Sequence, residues 1–113
     1  MGIIDDEKLI ELRELSNGND DLLKTLLDKY IVNSESFVEQ IKGALKVQDY
    51  EKVQFGVHTV KGSSLSLGLT SLGEKFTDLN ARAKKGDYAG FEPEMEKIES
   101  LLQEVAKYRS TLT

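Results

Sequence analysis

Cysteine and tryptophan are absent from the 113 residues, proline occurs once, at Pro93, and histidine once, at His58. Without cysteine there is no disulfide framework, no thiolate metal site and no thiol catalysis. No apolar run approaches the roughly 20 residues that a membrane span requires. The amino terminus has no basic segment leading into a hydrophobic signal core. A soluble, cytoplasmic, unexported protein is therefore expected, with no membrane partner. A cationic excess is also missing: 15 Lys and Arg stand against 20 Asp and Glu, a formal net charge of -5. That balance disfavours a nucleic-acid backbone as partner and makes another protein the default. The length suits a single domain over residues 1–113 with one modest core, and a monomer is expected.

With proline nearly absent and glycine clustering at a few points of punctuation, the long segments in between are rich in Leu, Glu, Lys and Ala. Their apolar residues recur at helical spacing. A short amphipathic helix is predicted from about Asp5 to Leu15, carrying Leu9 and Leu12 and ended by the turn chemistry of Ser16-Asn17-Gly18-Asn19. It is expected to lid a bundle. A long helix follows from Asp20 to about Val47, with Leu23, Leu26, Leu27, Tyr30, Phe37, Ile41 and Ala44 near the 3.6-residue period. Asp49 is placed to cap the next helix, whose inward seam reads Tyr50, Val53, Val57, Val60, Ser64, Leu67. Gly68 ends it. Thr70 or Ser71 is placed to cap a fourth helix running to about Lys85, with Leu72, Phe76, Leu79 and Ala83 inward, closed by Gly86-Asp87. The last helix starts near Phe91 with Pro93 in its first turn, where a missing N–H costs nothing, and buries Phe91, Met95, Ile98, Leu102 and Val105. These elements predict an all-α fold: an antiparallel four-helix bundle with a short additional N-terminal helix.

At about 100° per residue, His58 falls roughly 130° from the centre of its helix's inward seam, so it faces solvent or the rim. Alone, that describes an ordinary surface histidine. Its neighbours change the reading. Lys61, three residues on, is close enough along the helix for its ammonium to meet an anion held on the imidazole. Gly62 stands in a helix interior, where glycine costs about 1 kcal/mol relative to alanine. It therefore needs a reason, either a tight helix crossing or an opening beside His58. Ser63, Ser64 and Ser66 are assigned to back-bonding or to small gaps in the core rather than to nucleophilic catalysis. On the following helix Asn80 is as far from the turn at Leu69 as His58 is. It should share its level, either bonding a ring nitrogen or standing exposed. Lys84, one turn beyond, adds positive charge nearby. Phe55 and Leu65 fall outside the seam on the His58 side and suggest a docking patch, although scattered surface apolar residues are normal.

The segment His58-Thr59-Val60-Lys61-Gly62-Ser63-Ser64, followed by Leu67-Gly68 and Leu72, resembles the signature of histidine-containing phosphotransfer (HPt) domains. The resemblance implies that His58 is the phospho-acceptor, that Lys61 assists electrostatically and that Gly62 leaves room for the phosphoryl group and its partner. Gly68 matches the family's second glycine, and Lys85-Gly86-Asp87 matches its usual helix ending. Asn80 departs from the pattern, because many members carry a longer Gln or Glu there to bond the ring.

A neutral imidazole offers a free nitrogen as nucleophile at cellular pH, and phosphoryl transfer needs mainly positioning and nearby cations. The chain has one histidine, no cysteine and no acidic cluster at ligand spacing around it, so no metal site of its own is expected. No cofactor is expected either, and the resemblance implies that Mg²⁺ comes with a partner receiver domain. There is no Walker-type loop, so the chain is expected to be a carrier and not a kinase or other enzyme. The expected partners are response-regulator receiver domains and a sensor or hybrid histidine kinase. Competing readings are a non-catalytic helical adaptor and the phospho-acceptor domain of a larger kinase. A metal-dependent hydrolase fails for want of ligands.

Overall fold

In the computed structural model, which describes residues 3–112, five helices follow one another: α1 (Asp6–Leu15), α2 (Asp21–Lys46), α3 (Tyr50–Ser66), α4 (Thr70–Lys84) and α5 (Phe91–Ser110). Among the described residues there is no strand. Helices α2 to α5 form a ring in which α2 and α4 each pack on α3 and α5. The α3–α4 seam is the most extensive and the α4–α5 seam the slightest. The result is a rod of 46 × 22 × 22 Å. Short connections between successive long helices make neighbours antiparallel.

The predicted seams meet along the rod's axis. Val53, Val57 and Val60 of α3, Leu72, Phe76, Leu79 and Ala83 of α4, and Phe91, Met95, Ile98, Leu102 and Val105 of α5 are all buried. Burial of this apolar surface, at about 25 cal/mol per Å², is the main force closing the bundle. Helix α2 adds Leu23, Leu27, Tyr30, Ile41 and Ala44, as expected, and also Val38 and Ser34. Leu26 and Phe37 are only half-buried, at the edge where α2 meets α3. Tyr30 crosses that seam, its hydroxyl 2.7 Å from Ser64 Oγ, so the serine that reads as a gap in the apolar seam is filled by a hydrogen bond.

Two local expectations are corrected. Tyr50 does not continue the α3 core. It is exposed and stacks on Tyr88 of the α4–α5 connection, with ring centroids 4.0 Å apart. The first residue of a helix points partly past the end of the facing helix, where loop side chains cover it. Neither Thr70 nor Ser71 caps α4. The buried Leu69 occupies the cap position with no side-chain bond, and Thr70 is already helical. Here core burial of Leu69 outweighs a polar cap, which is worth about 1 kcal/mol. The cap expected at Asp49 is present, its side chain accepting from the Lys52 N–H at 3.3 Å.

The α3–α4 turn is built on Gly68. Its φ of +72° is unfavourable for side-chain-bearing residues, and the Leu69 N–H donates to Ser64 O at 2.9 Å while the Gly68 N–H donates to Leu65 O at 3.1 Å. This is the paired bonding that closes a helix at glycine. The same Gly68 accepts the Asp5 N–H at 2.8 Å, which hooks the start of α1 over this end of the bundle. With Leu12 buried and Leu9 half-buried against α2, α1 acts as the expected lid.

Candidate functional site

Helix α3 has two opposite faces. Inward, Gly56 lies against α2: a Cβ built on it would stand 2.7 Å from Ile41 Cγ1, so the Ile41 side chain packs there directly on the α3 backbone. Outward, His58 is exposed, and a Cβ on Gly62, in the next turn, would meet nothing within 4 Å. The tight crossing considered for Gly62 is therefore absent, and the opening beside His58 is present. Gly62 and His58 differ by about 40° around the axis, so the empty space adjoins the imidazole.

The level of His58 relative to α4 follows from two contacts that bracket it. Gln54 Nε2 donates to Ala83 O at 3.4 Å on one side. On the other, Gly73 is so close to Leu65 that a Cβ would stand 2.7 Å from Leu65 Cδ2. Residues 58 and 80 fall between these pairs, at equal distances from the turn, and the antiparallel register expected from the sequence is the one observed. Asn80, however, is 6% exposed, not an open surface residue, and among the described residues no hydrogen bond joins it to His58.

Lys61 is half-buried on the α4 side of α3, and Lys84 is exposed one turn past Asn80. His58, Lys61 and Gly62 thus lie within two turns of α3, with Asn80 level with His58 on α4 and Lys84 one turn further along α4. Phe55 lies one turn before His58 and Leu65 two turns after it, 63% and 53% exposed. Phe55 rests on Phe37 of α2, ring centroids 6.1 Å apart, which the sequence reading missed because Phe37 was counted as core. Its place at the edge of the α2 seam was the available signal. Ser63 donates back to Val60 O at 3.2 Å, so it is engaged with its own helix, as expected. Gly56 and Gly73, both close-approach glycines, were not singled out, since nothing in a single sequence says what faces them. Among the described residues no cluster of three or more His, Cys, Asp or Glu is arranged to hold a metal ion, and no helix is long and apolar enough to cross a membrane.

Comparison with known proteins agrees with this geometry. The sequence matches the family model described as the Hpt domain over residues 25–108, a span that includes α3, α4 and most of α2 and α5. No curated protein matches the sequence. Among solved structures, the chain is similar to the crystal structure of histidine-containing phosphotransfer protein B (HptB) from Pseudomonas aeruginosa PAO1. The two are 23% identical with a TM-score of 0.83, and the match covers 98% of this chain and 97% of the other. At that identity the likeness speaks for the fold, and the fold is the one described above.

Proposed function

The chain belongs to the Hpt domain family, histidine phosphotransfer carriers of phosphorelays, and from that premise we propose that His58 takes a phosphoryl group from a receiver-domain aspartate, or from a histidine kinase, and passes it to another receiver. The observation that carries the assignment is the open volume at Gly62 beside an exposed imidazole on a helix otherwise packed tightly enough to bring Gly56 against Ile41. A helix-interior glycine that serves no packing contact is retained at a cost of about 1 kcal/mol, and access to the neighbouring side chain accounts for it.

In the transfer, a lone-pair nitrogen of the neutral imidazole attacks the phosphorus of the donor's aspartyl phosphate. The P–O bond breaks, the N–P bond forms, and the donor's carboxylate leaves. The transition state is loose, with charge spread over the phosphoryl oxygens, so catalysis rests on alignment and nearby cations. Lys61 supplies a cation from the adjacent turn, and half-burial limits its screening by solvent. Lys84 adds a weaker field. Asn80 lacks a bond to the ring and is given a packing role in the α3–α4 seam. Phe55 and Leu65 offer apolar contact to the partner on either side of the reacting group. The reading includes no kinase machinery in this chain, and the Mg²⁺ that phosphoryl transfer requires comes with the receiver.

The test is radiolabel transfer from the receiver domains of the source organism. Wild type should acquire label that is acid-labile and alkali-stable, as a phosphoramidate is, while His58→Gln should acquire none and keep its fold, because the side chain is exposed. Label retained on His58→Gln would overturn the assignment and return Ser63 or Ser64 to consideration.

A further inference from the structure

We propose that Asn17 is a site of spontaneous deamidation, and that the turn closing α1 keeps it unreacted for as long as α1 stays folded. The proposal goes beyond the carrier reading and does not depend on it. It concerns the segment Ser16-Asn17-Gly18-Asn19 that joins α1 to α2. Asn17 is exposed, and among the described residues its side-chain amide makes no hydrogen bond. The neighbouring Asn19 is engaged instead: its Oδ1 accepts from Ser16 Oγ at 2.7 Å and from the Asp21 N–H at 3.0 Å. Gly18 has no Cβ to hinder attack on Asn17, and nothing lies within 4 Å of where one would stand.

An asparagine followed by glycine carries both partners of a reaction. When hydroxide takes the Gly18 amide proton, that nitrogen attacks Asn17 Cγ. The new C–N bond closes a five-membered imide, the C–N bond of the side-chain amide breaks, and ammonia leaves with a proton from water. Water then opens either imide carbonyl, giving aspartate or, with the main chain rerouted through Cγ, isoaspartate. Nothing is oxidised or reduced.

In the folded chain the attacking nitrogen is held. The Gly18 N–H donates to Arg13 O at 2.7 Å and the Asn17 N–H to Glu14 O at 3.4 Å, with Asn17 at a φ of +57°. These are the two bonds that end a helix at a left-handed residue. The bond that closes α1 therefore also keeps base from the proton that must leave first. Helix α1 has only 10 residues, short of the roughly 12–15 at which an isolated helix becomes marginal in water. At this end it is held by the burial of Leu12 and by Arg13 Nε, 2.7 Å from Asp20 Oδ1. Local opening of such an element takes less free energy than unfolding the bundle, and each opening frees the nitrogen. The reaction then makes the opening permanent. Isoaspartate lengthens the backbone between positions 17 and 18, so the bond to Arg13 O is lost, and either acid puts negative charge at a helix C-terminus, where the dipole disfavours it. Asn33 and Asn80 are inside α2 and α4, where the N–H that follows is bonded within the helix.

The test is incubation of the full chain in mildly alkaline buffer, with and without urea, followed by peptide mapping in a mass spectrometer. Product should form at Asn17 ahead of Asn19, Asn33 and Asn80. The native chain should react about tenfold or more slowly than the unfolded one, since only the open population reacts. That slowing should equal the hydrogen-exchange protection of the Gly18 amide, because both reactions wait for base to reach the same proton. Leu12→Ala and the milder Arg13→Ala should speed both together, circular dichroism showing that the bundle stays folded; if Leu12→Ala unfolds it, Arg13→Ala decides. The isoaspartate form, separated by ion exchange, should lose exchange protection in α1 and keep it in α3 and α4. Equal rates with and without urea, no reaction in urea, or deamidation that stays constant while Gly18 exchange quickens in the variants overturns the proposal. So does an isoaspartate form whose α1 is as protected as before.

Discussion

Gly56 and Gly62 stand on opposite faces of one helix, and the same residue type does opposite work at the two positions. At Gly56 the absent side chain lets the Ile41 side chain of α2 pack directly on the α3 backbone, filling the place of a Cβ. At Gly62 the absent side chain leaves open space next to an exposed imidazole. Composition and helix propensity see the two glycines as identical. What separates them is what lies across from each, so the inward face of α3 is specified by shape and the outward face by what must be allowed to approach.

Substitutions that treat the two positions alike should therefore part company. The largest effect is expected from Gly62→Gln, which should slow transfer from a receiver on the order of 10²-fold by displacing the reactants from alignment. Its melting temperature should rise by a few degrees through the gain of up to about 1 kcal/mol in helix propensity. A variant that unfolds would show that Gly62 belongs with Gly56 after all. Lys61→Ala comes next, slowing transfer about tenfold without changing stability. Removing a stabilising donor costs 10² or more where it is sequestered and less where water screens it. Single-turnover rates at saturating receiver measure it. Gly56→Ala should do the reverse of the Gly62 variant: stability falls by about 1–2 kcal/mol, because overpacking against the buried Ile41 exceeds the propensity gained. Transfer by the folded fraction stays at the wild-type rate, and urea unfolding beside a transfer assay reads both.

The smallest effect lies off α3 and sets the baseline. Lys75 Nζ is 3.2 Å from Glu94 Oε2 across the slight α4–α5 seam. The hydrogen bond from Lys75 does most to hold the Glu94 carboxyl below its ordinary value of 4.5. A lowered carboxylate stabilises the fold above its unfolded value, and that contribution is lost as pH falls through the folded one. Wild type should exceed Glu94→Gln by a few tenths of a kcal/mol at neutral pH, as for a partly exposed pair. The difference should fade as pH drops below 4.5 and through the lowered folded value, and equilibrium unfolding at a series of pH values checks it.

The helices and their buried stripes were legible because apolar spacing is a local property: the inward positions of α4 and α5 and most of those of α3 sit where the period puts them. Errors fell at helix ends, at Tyr50 and at the cap of α4, where loop packing and burial of Leu69 override local preference. His58, Lys61 and Gly62 were legible because a glycine with no local justification draws attention to its neighbours. The register to α4 was legible from the turn alone. The absence of a bond from Asn80 was not, since it depends on side-chain reach across a seam.

The hydroxyl contact between Tyr30 and Ser64 also gives the protein an optical property. With no tryptophan, four tyrosines dominate the near-ultraviolet spectrum. Burial pushes the Tyr30 phenol above its usual 10.0, against the opposing pull of its bonds to Ser64 and Ser34. Under alkali this chromophore should keep its proton late in a spectrophotometric titration, and it should do so only while α2 and α3 remain together.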